Sequence, residues 1–106
     1  MNRPLTRGQV VLAEIGLSEA KRLVVVSNNR RNSFLQSFLA ARLTTSQKPP
    51  IPSVVRLTHA DQMTGVVCCD DIIEVFNDEV IEVVGALSPN TMTRVSSGLA
   101  AALDLG

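Results

Sequence analysis

Aromatic side chains are scarce in this chain: three Phe and no Trp or Tyr among 106 residues. A core must therefore be assembled from Val, Leu, Ile and Ala, and nucleic-acid binding by stacking bases on aromatic platforms is not expected. Cysteine is limited to the adjacent pair Cys68-Cys69. Neighbours on a strand point to opposite faces and a bridge between them is strained, so the pair is expected as buried free thiols. The single histidine, His59, falls in a polar stretch and excludes two-histidine acid–base chemistry by count. One His and one Cys pair make no metal-ligand set, and Gly-rich phosphate loops and Gly-x-Ser-x-Gly elbows are missing too, so neither a metal nor a cofactor is expected. No uncharged apolar run approaches the length of a membrane span and no signal-peptide core opens the chain, so a soluble, cytoplasmic protein is expected.

Charge of one sign is also lacking overall, with ten Lys/Arg against ten Asp/Glu. The distribution is uneven. Residues 1–60 hold nine Lys/Arg and two Glu, a balance of +7, whereas residues 61–106 hold one Arg and eight acids, a balance of −7. A neutral chain is a poor non-specific nucleic-acid binder, but this asymmetry permits one basic surface. The length supports a single domain spanning residues 1–106, large enough for one core and small enough to gain from dimerisation.

The strongest local signal is Leu23-Val24-Val25-Val26, a β-branched run suited to a strand buried on both faces. Lys21 and Arg22 stand at its entrance; Ser27-Asn28-Asn29 closes it, followed by Arg30 and Arg31. Residues 1–6 read as a flexible tail, and Gln9–Ile15 alternates as a strand joined to Lys21 by the short link Gly16–Ala20. The segment Asn32–Thr45 is ambiguous: Phe34, Leu35, Phe38, Leu39, Ala41 and Arg42 have helical periodicity. Lys48-Pro49-Pro50-Ile51-Pro52 can only be an extended connector. Strands are expected at Ser53–Leu57, Gly65–Cys69, Ile72–Phe76 and Val80–Ala86. Ser88 as N-cap and Pro89 at the first position open a helix over residues 88–104, with Met92, Val95, Leu99 and Leu103 on one face.

A strand ending Val-Val-Ser-Asn-Asn and entered through a basic residue resembles the second strand of the MazF/PemK toxin ribonucleases. Arg7-Gly8-Gln9-Val10-Val11 is similar to that family's opening strand, and Ala41-Arg42-Leu43-Thr44-Thr45 to its third. Gly65–Asp70 and Gly85–Pro89 are similar to its last strands and the start of its terminal helix. The resemblance implies an α+β fold, mainly β with one C-terminal helix: a small twisted antiparallel SH3-like barrel of the MazF/CcdB toxin type. It resolves the ambiguous segment as a short turn or helix near Asn32–Leu35 followed by a strand at about Phe38–Thr45. It also implies that the Gly16–Ala20 link replaces a longer flap, leaving the cleft open.

The function implied is that of a toxin from a toxin–antitoxin pair: a metal-independent, sequence-specific endoribonuclease acting on single-stranded RNA. Attack by the RNA 2′-hydroxyl would leave 2′,3′-cyclic phosphate and 5′-hydroxyl ends. Such chemistry needs a cation at the phosphate and a hydroxyl to hydrogen-bond it. On the resemblance these are Lys21 and Thr44, with Asp70 as acid or base. The family's arginine falls on Lys21 and its following proline on Arg22. Lysine is a point charge without the guanidinium fork, so either Lys21 acts or Arg22 takes over. Substrate contacts are expected from Arg22, Asn28, Arg30, Arg31, Arg42 and Thr45. The implied partners are single-stranded RNA, a cognate antitoxin with a flexible, acidic tail, and a second copy in a homodimer. Two other readings stay open: a CcdB-like gyrase poison without chemistry of its own, and a catalytically lapsed member that binds RNA or antitoxin.

Overall fold

The computed structural model describes residues 4–16 and 19–105, so the expected flap position is only partly in view and Leu17-Ser18 lie outside the described residues. Six strands and two helices follow in the order β1 Gln9–Ala13, β2 Lys21–Val25, α1 Asn29–Phe34, β3 Ser37–Thr44, β4 Val54–Arg56, β5 Val66–Phe76, β6 Val80–Ala86 and α2 Pro89–Leu103. All strand pairs are antiparallel, and the spatial order is β4-β5-β3-β2-β1-β6. Among the described residues no helix is long and apolar enough to cross a membrane.

The sheet is open rather than a closed barrel, with β4 and β6 at its edges. It is nevertheless strongly curled. Leu23, Val25, Phe38, Ala40 and Val75 cluster with Val80 and Val83 on one face. A flat sheet would hold β5 and β6, four spacings apart, at about 19 Å. Curling brings them over a common core. The opposite face carries Val10, Val24, Ala41, Leu43, Val55 and Val67 against Met92 and Val95 of α2. Every central strand is thus buried on both sides, which is why β2 reads as an unbroken apolar run.

Three expectations change in detail. Leu5 is only 2% exposed and packs in the curled core, so the opening segment is anchored there rather than loose up to residue 6. The two strands read at Gly65–Cys69 and Ile72–Phe76 are one strand, β5, interrupted by a bulge: Arg42 pairs with Cys68, while the next residue back, Ala41, pairs with Ile72. Residues 69–71 thus stand opposite a single step of β3, and the strand swings from β4 toward the curled end. Finally, two of the three Phe are exposed, Phe34 at 77% and Phe76 at 51%. The aromatic supply for a binding surface is larger than composition implies.

The helical periodicity at Asn32–Thr45 is overridden by the sheet. Asn28 caps α1, its side-chain oxygen accepting the Arg31 N–H at 2.8 Å. The helix stops after six residues, and β3 then fills the slot between β2 and β5. A buried polar latch fixes the junction. Ser27 Oγ donates to Asn32 Oδ1 at 2.6 Å, Asn32 Nδ2 donates to the Ser27 carbonyl, and the Leu39 N–H donates to Ser27 Oγ.

Candidate functional site

The β2–β3 register pairs Leu23 with Arg42 and Val24 with Ala41. Extending it by two residues sets Lys21 opposite Thr44, because the start of β2 meets the end of β3. Alternation puts Lys21, Arg42 and Thr44 on the face of the sheet that carries the curled core, just beyond Leu23 at that core's edge. Arg42 and Thr44 are two residues apart, about 7 Å along the strand. A cation, a second cation and a hydroxyl thus form a row on rigid backbone.

Two depressions flank this row. A cavity of about 430 Å³ is lined by Lys21, Leu23, Arg42, Asp71, Ile73 and Phe76, among others. A larger groove of about 990 Å³ runs past Thr44, Thr45 and the proline connector to Arg56 and Val66, with Lys48 in its wall. The groove lining holds two cations and no carboxylate. The cavity mixes Lys21 and Arg42 with Asp71, Glu74 and Glu79. The two charge-biased halves of the chain are thus partly interleaved, because β5 inserts between β4 and β3. The basic side survives along the groove.

Local contacts fix these groups. The Thr44 hydroxyl oxygen accepts the Ser46 N–H at 3.1 Å, which leaves its own O–H free to donate toward the groove. Gly65, with φ +131°, lets β5 start against β3: a Cβ there would lie 2.8 Å from the Thr44 carbonyl oxygen. Lys21 Nζ lies 3.4 Å from Glu19 Oε1, a contact with a largely exposed carboxylate. Arg22 points the other way and its guanidinium reaches the Thr64 carbonyl at 3.5 Å. Of the two basic neighbours, Lys21 is the one that lines the cavity.

The remaining expected residues are dispersed. Asp70 is exposed on the β5 bulge and lines neither depression, whereas Asp71 lines the cavity. Asn28, Arg30 and Arg31 sit beyond the other end of β2. Asn28 is occupied as a helix cap. Arg31 donates to the Ser37 carbonyl at 3.0 Å and lies 3.5 Å from Glu74 Oε2, tying α1 to the sheet. Arg30 is exposed, away from the row. Lys48, Arg56 and Asp71 were not singled out by sequence. No local pattern distinguishes them, since the curl and the bulge bring them to the site.

Cys68 and Cys69 flank the site without the properties of nucleophiles. Burial pushes the Cys68 thiol up, Lys48 and Arg42 pull it partly back, and Asp70 and Asp71 oppose them. Burial, helped by Asp70 and Cys68, pushes Cys69 up to about 11. Among the described residues no three His, Cys, Asp or Glu side chains are grouped to hold a metal.

Residues 6–103 match the family described as PemK-like, MazF-like toxin of type II toxin–antitoxin system. A Mycobacterium bovis protein named endoribonuclease MazF1 is 40% identical over 105 residues, 99% of this chain and 97% of its own length. Endoribonuclease MazF4 of Mycobacterium tuberculosis matches to the same extent. Among solved structures, an endoribonuclease in complex with its cognate antitoxin from a mycobacterial species superposes with a TM-score of 0.90 at 37% identity, covering 96% of this chain and 97% of that one. MazF from Deinococcus radiodurans, at 17% identity, 98% and 100% coverage and a TM-score of 0.81, shares the fold.

Proposed function

Since the chain belongs to the PemK-like, MazF-like family of toxins from type II toxin–antitoxin systems, we propose that it cuts single-stranded RNA along the Lys21–Arg42–Thr44 row, without a metal ion. It is an endoribonuclease of that family. The observation that carries the reading is the β2–β3 register, which sets a cation opposite a hydroxyl on a sheet buried on both faces.

RNA supplies its own nucleophile. The 2′-oxygen attacks the adjacent phosphorus, the P–O2′ bond forms as the P–O5′ bond breaks, and the products carry a 2′,3′-cyclic phosphate and a 5′-hydroxyl. The protein has to hold the nucleophile in line and stabilise the charge that gathers on the non-bridging oxygens. Lys21 supplies the positive charge. Thr44, its oxygen already occupied as an acceptor, donates its O–H to a non-bridging oxygen. Asp70, expected as acid or base, lines neither depression, so water takes the 2′ proton and water protonates the departing 5′-oxygen. Arg42, Lys48 and Arg56 hold neighbouring phosphates, which positions the strand without reading sequence. Thr45 borders the same path, whereas Arg22 points away from it. Placing Arg30 and Arg31 on it requires RNA to wrap past α1.

The same cationic row fits a flexible, acidic antitoxin tail, which would compete with RNA for Lys21 and the groove. A second copy of the chain would enlarge a modest core and complete a longer basic surface.

The test is direct. Purified protein is incubated with a long single-stranded RNA in excess EDTA, and new ends are mapped. Discrete cuts leaving 5′-hydroxyls are expected. Lys21→Ala and Thr44→Ala should each lower kcat by at least about 100-fold, the scale of losing one donor to a developing charge. Thr44→Ala should keep its stability within about 1 kcal/mol, since its hydroxyl holds only one exposed N–H. Full activity in Thr44→Ala would overturn the assignment of the row.

A further inference from the structure

The cavity beside Lys21 holds more than a phosphate site needs. Phosphate binding calls for cations and N–H donors, and a carboxylate in the same wall is unfavourable for it. Yet Asp71, Glu74 and Glu79 all line this cavity. Two of them are occupied. Glu74 Oε2 accepts from Ser37 Oγ at 2.6 Å and faces Arg31 at 3.5 Å, and Glu79 Oε1 accepts the Phe76 N–H at 2.8 Å. Asp71 has no hydrogen-bond or ion-pair partner among the described residues, although it stands on the bulge that turns it toward Lys21 and Arg42. Phe76, half exposed, offers a ring at the same cavity, next to Leu23 and Ile73.

We propose that this cavity is a base-reading pocket and that Asp71 makes it select guanine. An apolar wall with an exposed ring takes the flat face of an unstacked base, and a free carboxylate then reads its edge. A carboxylate only accepts hydrogen bonds, so it favours an edge made of donors. Guanine presents two adjacent donors on its Watson–Crick edge, N1–H and N2–H, which match the two carboxylate oxygens. Cytosine offers one amino group beside an acceptor nitrogen, adenine the same, and uracil a single N–H between two carbonyls. Each of these leaves a carboxylate oxygen facing a lone pair or unpaired. Lys21 and Arg42, in the same wall, take the phosphates on either side of the selected nucleotide. The pocket therefore sets which phosphate is presented to Thr44.

This inference rests on the endoribonuclease reading, and the experiment separates the two. Cut sites are mapped on a long RNA for the unmodified protein and for Asp71→Asn, with Phe76→Ala as a second variant. Short RNAs carrying one such site are then compared with guanine or inosine, which lacks the 2-amino group, at the selected position. The unmodified protein is expected to cut at sites sharing one invariant guanine and to cut the inosine substrate about 10- to 100-fold less efficiently, through KM. Asp71→Asn should lose most of that guanine–inosine ratio and accept other bases there, while still cutting. Phe76→Ala should raise KM without changing which base is preferred. Cutting by the unmodified protein at sites with no invariant guanine would overturn the pocket and leave the endoribonuclease reading intact. The same holds for an Asp71→Asn protein with unchanged sites and an unchanged guanine–inosine ratio. A protein that cuts no RNA would overturn both.

Discussion

Asp61 shows how much one side chain can organise at the scale of a residue. It is 2% exposed, yet it is ionisable. Its Oδ2 accepts from the Thr58 N–H at 2.8 Å and the Thr91 hydroxyl at 2.8 Å, and its Oδ1 from the Ser88 N–H at 2.7 Å. Burial raises its pKa, but the bonds from Thr58, Ser88 and Thr91 outweigh burial and leave it below the ordinary carboxylate range. A depressed folded pKa means that Asp61 contributes stability above the ordinary carboxylate range. That contribution disappears as pH falls through the lowered value. Asp61→Ala should cost about 2–4 kcal/mol at pH 7, because it strands two part-buried N–H groups and the buried Thr91 hydroxyl. The stability gap between the unmodified protein and Asp61→Asn, read by urea melts, should shrink below about pH 4. A gap that widens in acid would contradict the assignment. Thr-His-Ala-Asp announces only the local contact with Thr58, since the other partners, Ser88 and Thr91, lie 27 and 30 residues away.

At the scale of elements, α2 docks because it carries a glycine where it crosses β4 and β5. A Cβ at Gly98 would lie 2.8 Å from Cys69 Sγ and 3.0 Å from Val55 Cγ2. Alanine is the better helix former by about 1 kcal/mol. Overpacking should exceed that gain, so Gly98→Ala should be destabilising by a net 1–2 kcal/mol, roughly. In a Cys69→Ala background the penalty should fall, and a thermal double-mutant cycle measures the coupling. The elements were the most legible part of the chain. Ser88 and Pro89 announce the start of α2, and the valine run announces β2. The break read at Asp70-Asp71 was misleading because two acids in succession violate any strand pattern. Only the pairing of β5 with both β3 and β4 shows that they form a bulge within one strand. Leu5 was missed for the converse reason, as a lone apolar residue in a polar segment sets up no period.

At the scale of the molecule, the chain is neutral but the proposed RNA groove is not. Lys21, Arg42, Lys48 and Arg56 line the cavity and groove. For single-stranded RNA each neutralised phosphate adds about −0.7 to the slope of log K against log salt, so four contacts predict a slope near about −3. Thr44→Ala protein allows the titration to be read as binding. Lys48→Ala and Arg56→Ala should each make the slope shallower by about 0.7 and leave the cut sequence unchanged. The site was half legible: Lys21, Arg42 and Thr44 sit on strands whose register brings them together. Lys48, Arg56 and Asp71 arrive through a connector, an edge strand and a bulge, where placement depends on tertiary curl.

The pairing of β1 with β6 joins Gln9 to Ala86, strands widely separated along the chain. That single feature sets a timetable for synthesis. β1 leaves the ribosome before its outer-edge neighbour, which is not available until β6 has been made as well. Strand pairings this distant place the protein among slow-folding topologies, with refolding in milliseconds to seconds. Until β6 arrives, β1 presents an unpaired, valine-rich edge to whatever is nearby. The interval between the making of β1 and the arrival of β6 is therefore the most aggregation-prone stage of the chain's synthesis.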